Sequence, residues 1–366
     1  MDSLYSVGKS ILSRTRENVS RYPRGIKNLF SAATKEVNDI ASTPRVLVGK
    51  SGRASLYKYN SIGESSHEPI LLVPSLINRY YILDLYPGCS LIESLVDNGH
   101  DVFLLEWLDP RPQDIYATME DHILSWMNWA VDETLKHATN RQVHLFGQCM
   151  GGTFSTIYTA INPEKIKSLV TLTAPVDFCD DGLLSTWARE SSVNMNLMEQ
   201  QWGMIHHEFL QQSFKVLKPT GVIRKWDTLL SNSWKDEFVH KFCYMERWIN
   251  DNVSFPAKTY TKYINELYRE NRLANGTFTL NEQLIDLSAI TCPVLCFTAK
   301  GDDIVPPPSA ELLIDLVSSK KTRHVELGGG HIGCVVSNRH QKVLWSELDE
   351  WLLENKNEVQ NVHVTQ

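Results

Sequence analysis

Gly147-Gln148-Cys149-Met150-Gly151-Gly152 sets a cysteine between glycines in the order G-x-C-x-G. A thiol needs little activation to act as a nucleophile. Before it runs a short β-prone segment, residues 142–146, and after it a segment over 153–160 that can open a helix. Strand, tight turn and helix is the setting in which a nucleophile is presented on a sharp elbow. The glycines let the turn close and the helix approach the strand. In such an elbow the backbone N–H of the next residue, Met150, faces a developing oxyanion. The competing reading is a chance glycine pair around a core cysteine, and the rest of the chain weighs against it.

A cysteine nucleophile needs a base, and the base needs an orienting partner. On this type of sheet the chain order is nucleophile, acid, histidine, with the last two on loops after late strands. Asp302 follows a β-prone run ending at Ala299 and precedes Ile304-Val305-Pro306. His331 follows three glycines, Gly328 to Gly330, after a run ending at Leu327. Asp303 competes as the acid, and Asp177 is a weaker second site. His324, inside a strand, and His144, before the elbow, read as ordinary half-buried histidines. A second oxyanion donor is expected from the loop after the early central strand, at the backbone of Leu76 or Ile77. Asn78 and Arg79 read as loop or helix anchors.

The elements that would carry these residues alternate. Residues 54–59 read as a strand by period-two alternation. Residues 69–74, 101–107, 142–146, 166–172, 293–299 and 322–327 are short apolar or β-prone runs, the pattern of parallel strands buried on both faces. Helical spacing appears over 90–98, 115–137, 309–317 and 339–355. This alternation predicts an α/β fold with a doubly wound, mostly parallel sheet. Between about 177 and 288 the rhythm stops. The segment is helical in pattern and carries Trp187, Trp202, Trp226, Trp234 and Trp248. It reads as a cap insertion whose aromatic residues line an apolar channel or form the cap's own core. The expected division is a helical segment over 1–44, core over 45–176, cap over 177–288 and core again over 289–366.

The chain has 366 residues and a net charge of -7, which speaks against nucleic acid as a partner. Seven scattered cysteines form neither a zinc grid nor an even disulfide framework, and a reducing cytoplasm fits them best. No apolar run reaches membrane-spanning length. Residues 1–50 carry nine Lys/Arg against four Asp/Glu. Leu4, Val7 and Ile11 there fall at helical spacing, as in a surface-lying or partner-binding helix.

Taken together these residues resemble the poly(3-hydroxyalkanoate) synthases, a family on an α/β-hydrolase core. The resemblance rests on the cysteine box Gly147–Gly152 and on Ile77-Asn78-Arg79-Tyr80-Tyr81-Ile82-Leu83-Asp84-Leu85. It extends to Ile290–Leu295 with Asp302–Pro308, to Gly329-Gly330-His331-Ile332-Gly333, and to Trp248-Ile249, Asp251-Asn252 and Phe255-Pro256 in the cap. It covers residue 45 to the C-terminus, and the length is that of the short synthases that work with a second, non-catalytic subunit. Asp303 departs from the pattern, where the family usually has histidine.

The resemblance implies polymerisation of a 3-hydroxyacyl-CoA, with 3-hydroxybutyryl-CoA expected, and release of CoA. Cys149, His331 and Asp302 would be the catalytic set, with Asp302 orienting His331 or activating the 3-hydroxyl. No metal or bound cofactor is implied, CoA being only the leaving group. The implied partners are the growing polyester chain, a homodimer mate or second synthase subunit, and the surface of a cytoplasmic polyester granule. A Cys-dependent thioesterase or polyester depolymerase on the same core, and an inactive granule protein, are the alternatives.

Overall fold

In the computed structural model the described residues are 24–25, 27–28, 39–59, 68–138, 141–190, 192–217 and 227–356. The helical spacing at Leu4, Val7 and Ile11, most of the segment 1–44, residues 61–67 of a polar turn and Trp226 lie outside them. The chain divides into two compact units, Ala41–Leu210 with Asn252–Gln366, and Met1–Ile40 with Gln211–Asp251. Of the segment 177–288, residues 211–251 therefore group with the N-terminal residues, and its two flanks group with the sheet.

The larger unit is built on eight strands: β1 (Arg45–Ser51), β2 (Ala54–Tyr59), β3 (Ile70–Val73), β4 (Val102–Trp107), β5 (Val143–Gln148), β6 (Ile166–Leu172), β7 (Val294–Ala299) and β8 (Thr322–Leu327). Their order is β1-β2-β4-β3-β5-β6-β7-β8. The pairs β1–β2 and β2–β4 are antiparallel. All other pairs are parallel. This is the α/β-hydrolase arrangement. Every residue of β3, β5 and β7 is buried. That explains their unbroken apolar runs, since helices cover both faces of a central parallel strand.

The helices on this sheet include α1 (Leu91–Asp97), α2 (Asn128–Leu135) and α3 (Met150–Ile161). Ser90 caps α1, its hydroxyl accepting the Glu93 N–H at 2.9 Å. Helix α3 is buried from Met150 to Ala160 although it contains four serine and threonine residues. Ser155, Thr156 and Thr159 each donate to the carbonyl four residues back, at 2.7–2.9 Å. Thr153 donates to the Pro175 carbonyl at 2.8 Å. Polar residues thus enter the core with their donors satisfied.

Three elements differ from the sequence reading. Strand β1 is an exposed edge whose register slips between Leu47 and Gly49, which breaks the period-two pattern that would mark it. The helix expected over 115–137 is a 3-10 turn over Pro112–Tyr116, a π turn over Asp121–Met127 and then α2. The helix expected over 309–317 is two pieces, Pro307–Glu311 and Leu313–Leu316.

In the smaller unit, α4 (Asp236–Asn250) is the longest described element. Asp236 pairs with Arg24 and accepts from Asn28 at 2.8 Å, and Tyr244 donates to Asp39. Trp248 is buried there.

Candidate active site

Strand β5 ends at Gln148, and the next residue turns the chain sharply. Cys149 has φ +52° and ψ -127°, a backbone conformation that costs a non-glycine residue about 1–3 kcal/mol. Three backbone bonds hold it there. Its N–H donates to Leu172 O at 2.9 Å, and its carbonyl accepts from Gly152 and Thr153 at 2.8 and 3.2 Å. Gly151 is required by space, because a Cβ there would lie 2.2 Å from the Val73 carbonyl and 2.4 Å from that of Pro74. The end of β3 therefore rests directly on the first turn of α3. Met150 opens that helix, and its N–H is one of the first-turn donors without an intrahelical acceptor.

The loop after β3 is pinned on its far side. Trp107 donates to Pro74 O at 3.1 Å. Asn78 bridges Asn252, with its amide on Asn252 Oδ1 at 2.7 Å, and Val253 donates to Ile77 O at 3.1 Å. The Ile77 carbonyl is thus engaged by Val253 in an antiparallel bridge, which leaves its N–H free of that pairing. Leu76, one step earlier, is buried, and the N–H groups of Leu76 and Ile77 remain the two expected donors. Arg79 pairs with Asp109 at 2.8 Å, an anchoring contact.

Asp302 and His331 come together on adjacent loops. Gly301 N–H donates to Gly329 O at 2.8 Å and Lys300 N–H to Leu327 O at 2.9 Å, which ties the loop after β7 to the loop after β8. Gly329 takes φ +90°, open to glycine, as the second loop turns. His331 Nδ1–H donates to Asp302 Oδ2 at 2.7 Å. Asp302 Oδ1 accepts from Ile304 and Val305 N–H, each at 2.9 Å, and no part of its side chain is exposed. The ring's other nitrogen remains for Cys149, whose charge acts on the imidazole. Burial alone would lower the imidazole pKa. The Cys149 sulfur and the Asp302 carboxylate outweigh it and raise the pKa to about 10.

The other sequence candidates serve packing. Asp303 is exposed, and its carbonyl accepts from Leu183 N–H at 3.1 Å. Asp177 Oδ1 accepts from Asn271 at 2.7 Å and from Cys179 N–H at 3.0 Å. His144 is fully buried rather than half-buried, because β5 is covered on both faces, and it bonds Ser168 at 2.8 Å. His324 contacts Thr298 at 2.8 Å and Glu311 at 3.1 Å.

Of the tryptophans over 177–288, the two in the larger unit are not deeply buried. Trp187 is half-buried against the core and Trp202 is 48% exposed. A π turn, Tyr263–Arg269, follows helix α5 (Ala257–Lys262) and carries Tyr263 and Tyr268, both buried. Bonding from residue i to i+5 brings residues five apart toward one face. Their ring centroids are 5.7 Å apart, and Phe178 lies 5.8 and 4.8 Å from them. Both phenols feel the charge of Cys149. No motif announces this pair, because the signal is a winding defect rather than a residue pattern.

A cavity of about 610 Å³ lies against the back of Asp302, lined by Asp177, Asp180, Asp181 and Asp303 among others. Its acidic wall disfavours polyanions. Among the described residues, no group of three or more His, Cys, Asp or Glu is placed to hold a metal ion, and no helix is long and apolar enough to cross a membrane.

Comparison with known proteins adds family membership. An alpha/beta hydrolase fold family matches residues 68–337, and the family of poly-beta-hydroxybutyrate polymerase (PhaC) N-termini matches residues 26–95. The chain is 34% identical over 336 residues to the poly(3-hydroxyalkanoate) polymerase subunit PhaC of Allochromatium vinosum, covering 90% of this chain and 93% of that one. It is 32% identical over 326 residues to the protein of the same name from Haloferax mediterranei, spanning 88% of this chain and 66% of that longer one. Among solved structures, the monoacylglycerol lipase of Paleococcus ferrophilus superposes with TM-score 0.52 at 16% identity, covering 82% of this chain and 99% of that one. A thermophilic esterase from Thermogutta terrifontis gives 0.51 at 14% identity, covering 86% of this chain and 100% of that one. These two likenesses speak for the fold alone.

Proposed function

The chain belongs to the poly(3-hydroxyalkanoate) polymerase family, and we propose that it polymerises 3-hydroxyacyl units from CoA thioesters through an acyl-enzyme on Cys149. The observation that carries this reading is the strained Cys149 elbow facing a His331 whose outer nitrogen is held by Asp302.

The proton of Cys149 passes to the free ring nitrogen of His331, and the thiolate attacks the thioester carbonyl. The tetrahedral oxyanion is met by the N–H groups of Met150 and of Leu76 or Ile77. The bond to the CoA sulfur breaks and His331 returns the proton to the departing thiolate. A 3-hydroxyl then attacks the Cys149 thioester, its proton passes to His331, and a new ester forms as the sulfur leaves. Asp302 has both oxygens occupied and no exposed surface, which supports an orienting role rather than direct activation of the hydroxyl. Exchange between two thioesters is nearly balanced in energy, so the acyl group stays reactive enough to pass to an alcohol. The buried rings of Phe178, Tyr263 and Tyr268 support exclusion of water from that intermediate.

CoA leaves at each turnover and no resident cofactor is required. Its phosphates would avoid the acidic cavity behind Asp302. The monomer we favour is 3-hydroxybutyryl-CoA. The relatives named above are called subunits, which supports a second synthase subunit or a second copy as partner, at the surface of cytoplasmic polyester granules.

The test is the fate of the acyl group. Incubation with (R)-3-hydroxybutyryl-CoA, alone and with a partner subunit of a short synthase, should release CoA and leave insoluble polyester, with no release from Cys149→Ala. Release that yields only free 3-hydroxybutyrate would assign a thioesterase instead.

A further inference from the structure

Tyr263 carries a buried hydroxyl that feels the charge of Cys149 and that the mechanism above leaves unused. Tyr263 is 3% exposed, and its hydroxyl makes no hydrogen bond of acceptable geometry. Thr153 stands next to it, but its proton is given to Pro175 O at 2.8 Å and its oxygen is not in bonding geometry with the phenol. The surrounding rings of Phe154, at 6.3 Å between centroids, and Phe178, at 5.8 Å, offer neither donor nor acceptor. Burial and the nearby Cys149 push the phenol pKa up, so the group is a neutral donor throughout the working range. A buried hydroxyl without a protein partner is costly, and a bond completed by another molecule would relieve that cost.

A 3-hydroxyacyl group on Cys149 presents two oxygens. The carbonyl oxygen is assigned to backbone N–H groups. The 3-oxygen is a hydroxyl in the first unit and an ester oxygen in a growing chain. As an ester oxygen it only accepts, so a neutral donor serves both forms and a carboxylate would serve one. We propose that the Tyr263 hydroxyl donates to the 3-oxygen of the acyl group on Cys149, and so selects 3-oxygenated acyl thioesters over plain ones. This inference rests on the acyl-enzyme reading above.

The test compares acylation by (R)-3-hydroxybutyryl-CoA and butyryl-CoA, as CoA released in a single turnover, for the wild type and Tyr263→Phe. The preference of the wild type for the hydroxylated substrate should fall on the order of tenfold or more in Tyr263→Phe. The loss should sit in the 3-hydroxybutyryl rate, with butyryl-CoA unchanged or faster. An unchanged ratio, or equal loss on both substrates, would overturn the proposal. If Tyr263→Phe does not fold, 3,5-difluorotyrosine at position 263 keeps the ring. A sharper donor should then raise the preference, and no change would count against the proposal. Failure of the underlying reading looks different, because the wild type itself would then show no Cys149-dependent acylation.

Discussion

His331 is joined to Asp302 by one N–H···O bond of 2.7 Å, and the carboxylate is gripped from behind by the Ile304 and Val305 N–H groups. Two backbone donors and one imidazole thus saturate a side chain with no exposure. In Asp302→Asn the amide oxygen would keep the two backbone bonds and the amide nitrogen would face His331. The ring must then accept at Nδ1, which puts its proton on the nitrogen meant for Cys149. We expect single-turnover CoA release to fall about 10²- to 10⁴-fold.

The same pair sets a pH dependence of stability. His331 is raised from 6.5 to about 10 by Cys149 and Asp302 against the burial that would lower it. A raised folded-state pKa adds stability that is complete below the unfolded value and is lost as pH climbs toward the folded one. The melting temperature of the wild type should therefore decline between about pH 6.5 and 10, and His331→Gln should flatten that slope. An equal slope in the variant would assign it to other groups.

Gly151 carries a purely steric prediction. A methyl at this position meets two backbone carbonyls at 2.2 and 2.4 Å, and neither can swing aside. Gly151→Ala should destabilise the protein by about 3 kcal/mol or more, since backbone must shift where usually only side chains do. Denaturant midpoints at constant slope would measure it.

How far the sequence revealed this site depends on whether a feature leaves a local trace. Cys149, Asp302 and His331 sit at strand ends and are flanked by glycines that backbone contacts demand, so the motifs mark their positions. The central strands are covered on both faces, and their apolar runs show it. Tyr263 and Tyr268 are brought together by a π turn, and that winding is invisible to a helical period. Strand β1 hid behind a slipped register.

Arg53 is a second buried cation outside the reacting groups. It is 1% exposed and donates to Leu108 O at 2.9 Å, to Ser254 O at 3.3 Å and to His122 at 3.3 Å. His122 Nδ1–H is spent on Thr118 O at 2.7 Å, so its other nitrogen accepts from Arg53. Burial and Arg53 lower the His122 pKa to about 3, which keeps that nitrogen an acceptor. Arg53→Lys supplies a compact charge without the planar fork and leaves at least one carbonyl unmet. The expected cost is about 2–4 kcal/mol in urea unfolding, with Cys149 acylation by the folded fraction retained.

The central claim is that the acyl group passes through the Cys149 sulfur with His331 as base. Rapid quenching of the wild type with (R)-3-hydroxybutyryl-CoA, followed by mass analysis of the peptide containing Cys149, tests it most directly. The account predicts one or more 3-hydroxybutyryl units in thioester linkage on Cys149 within the first turnover, and their absence or severe slowing in His331→Gln. CoA release at full rate with Cys149 unmodified at every time point would contradict it.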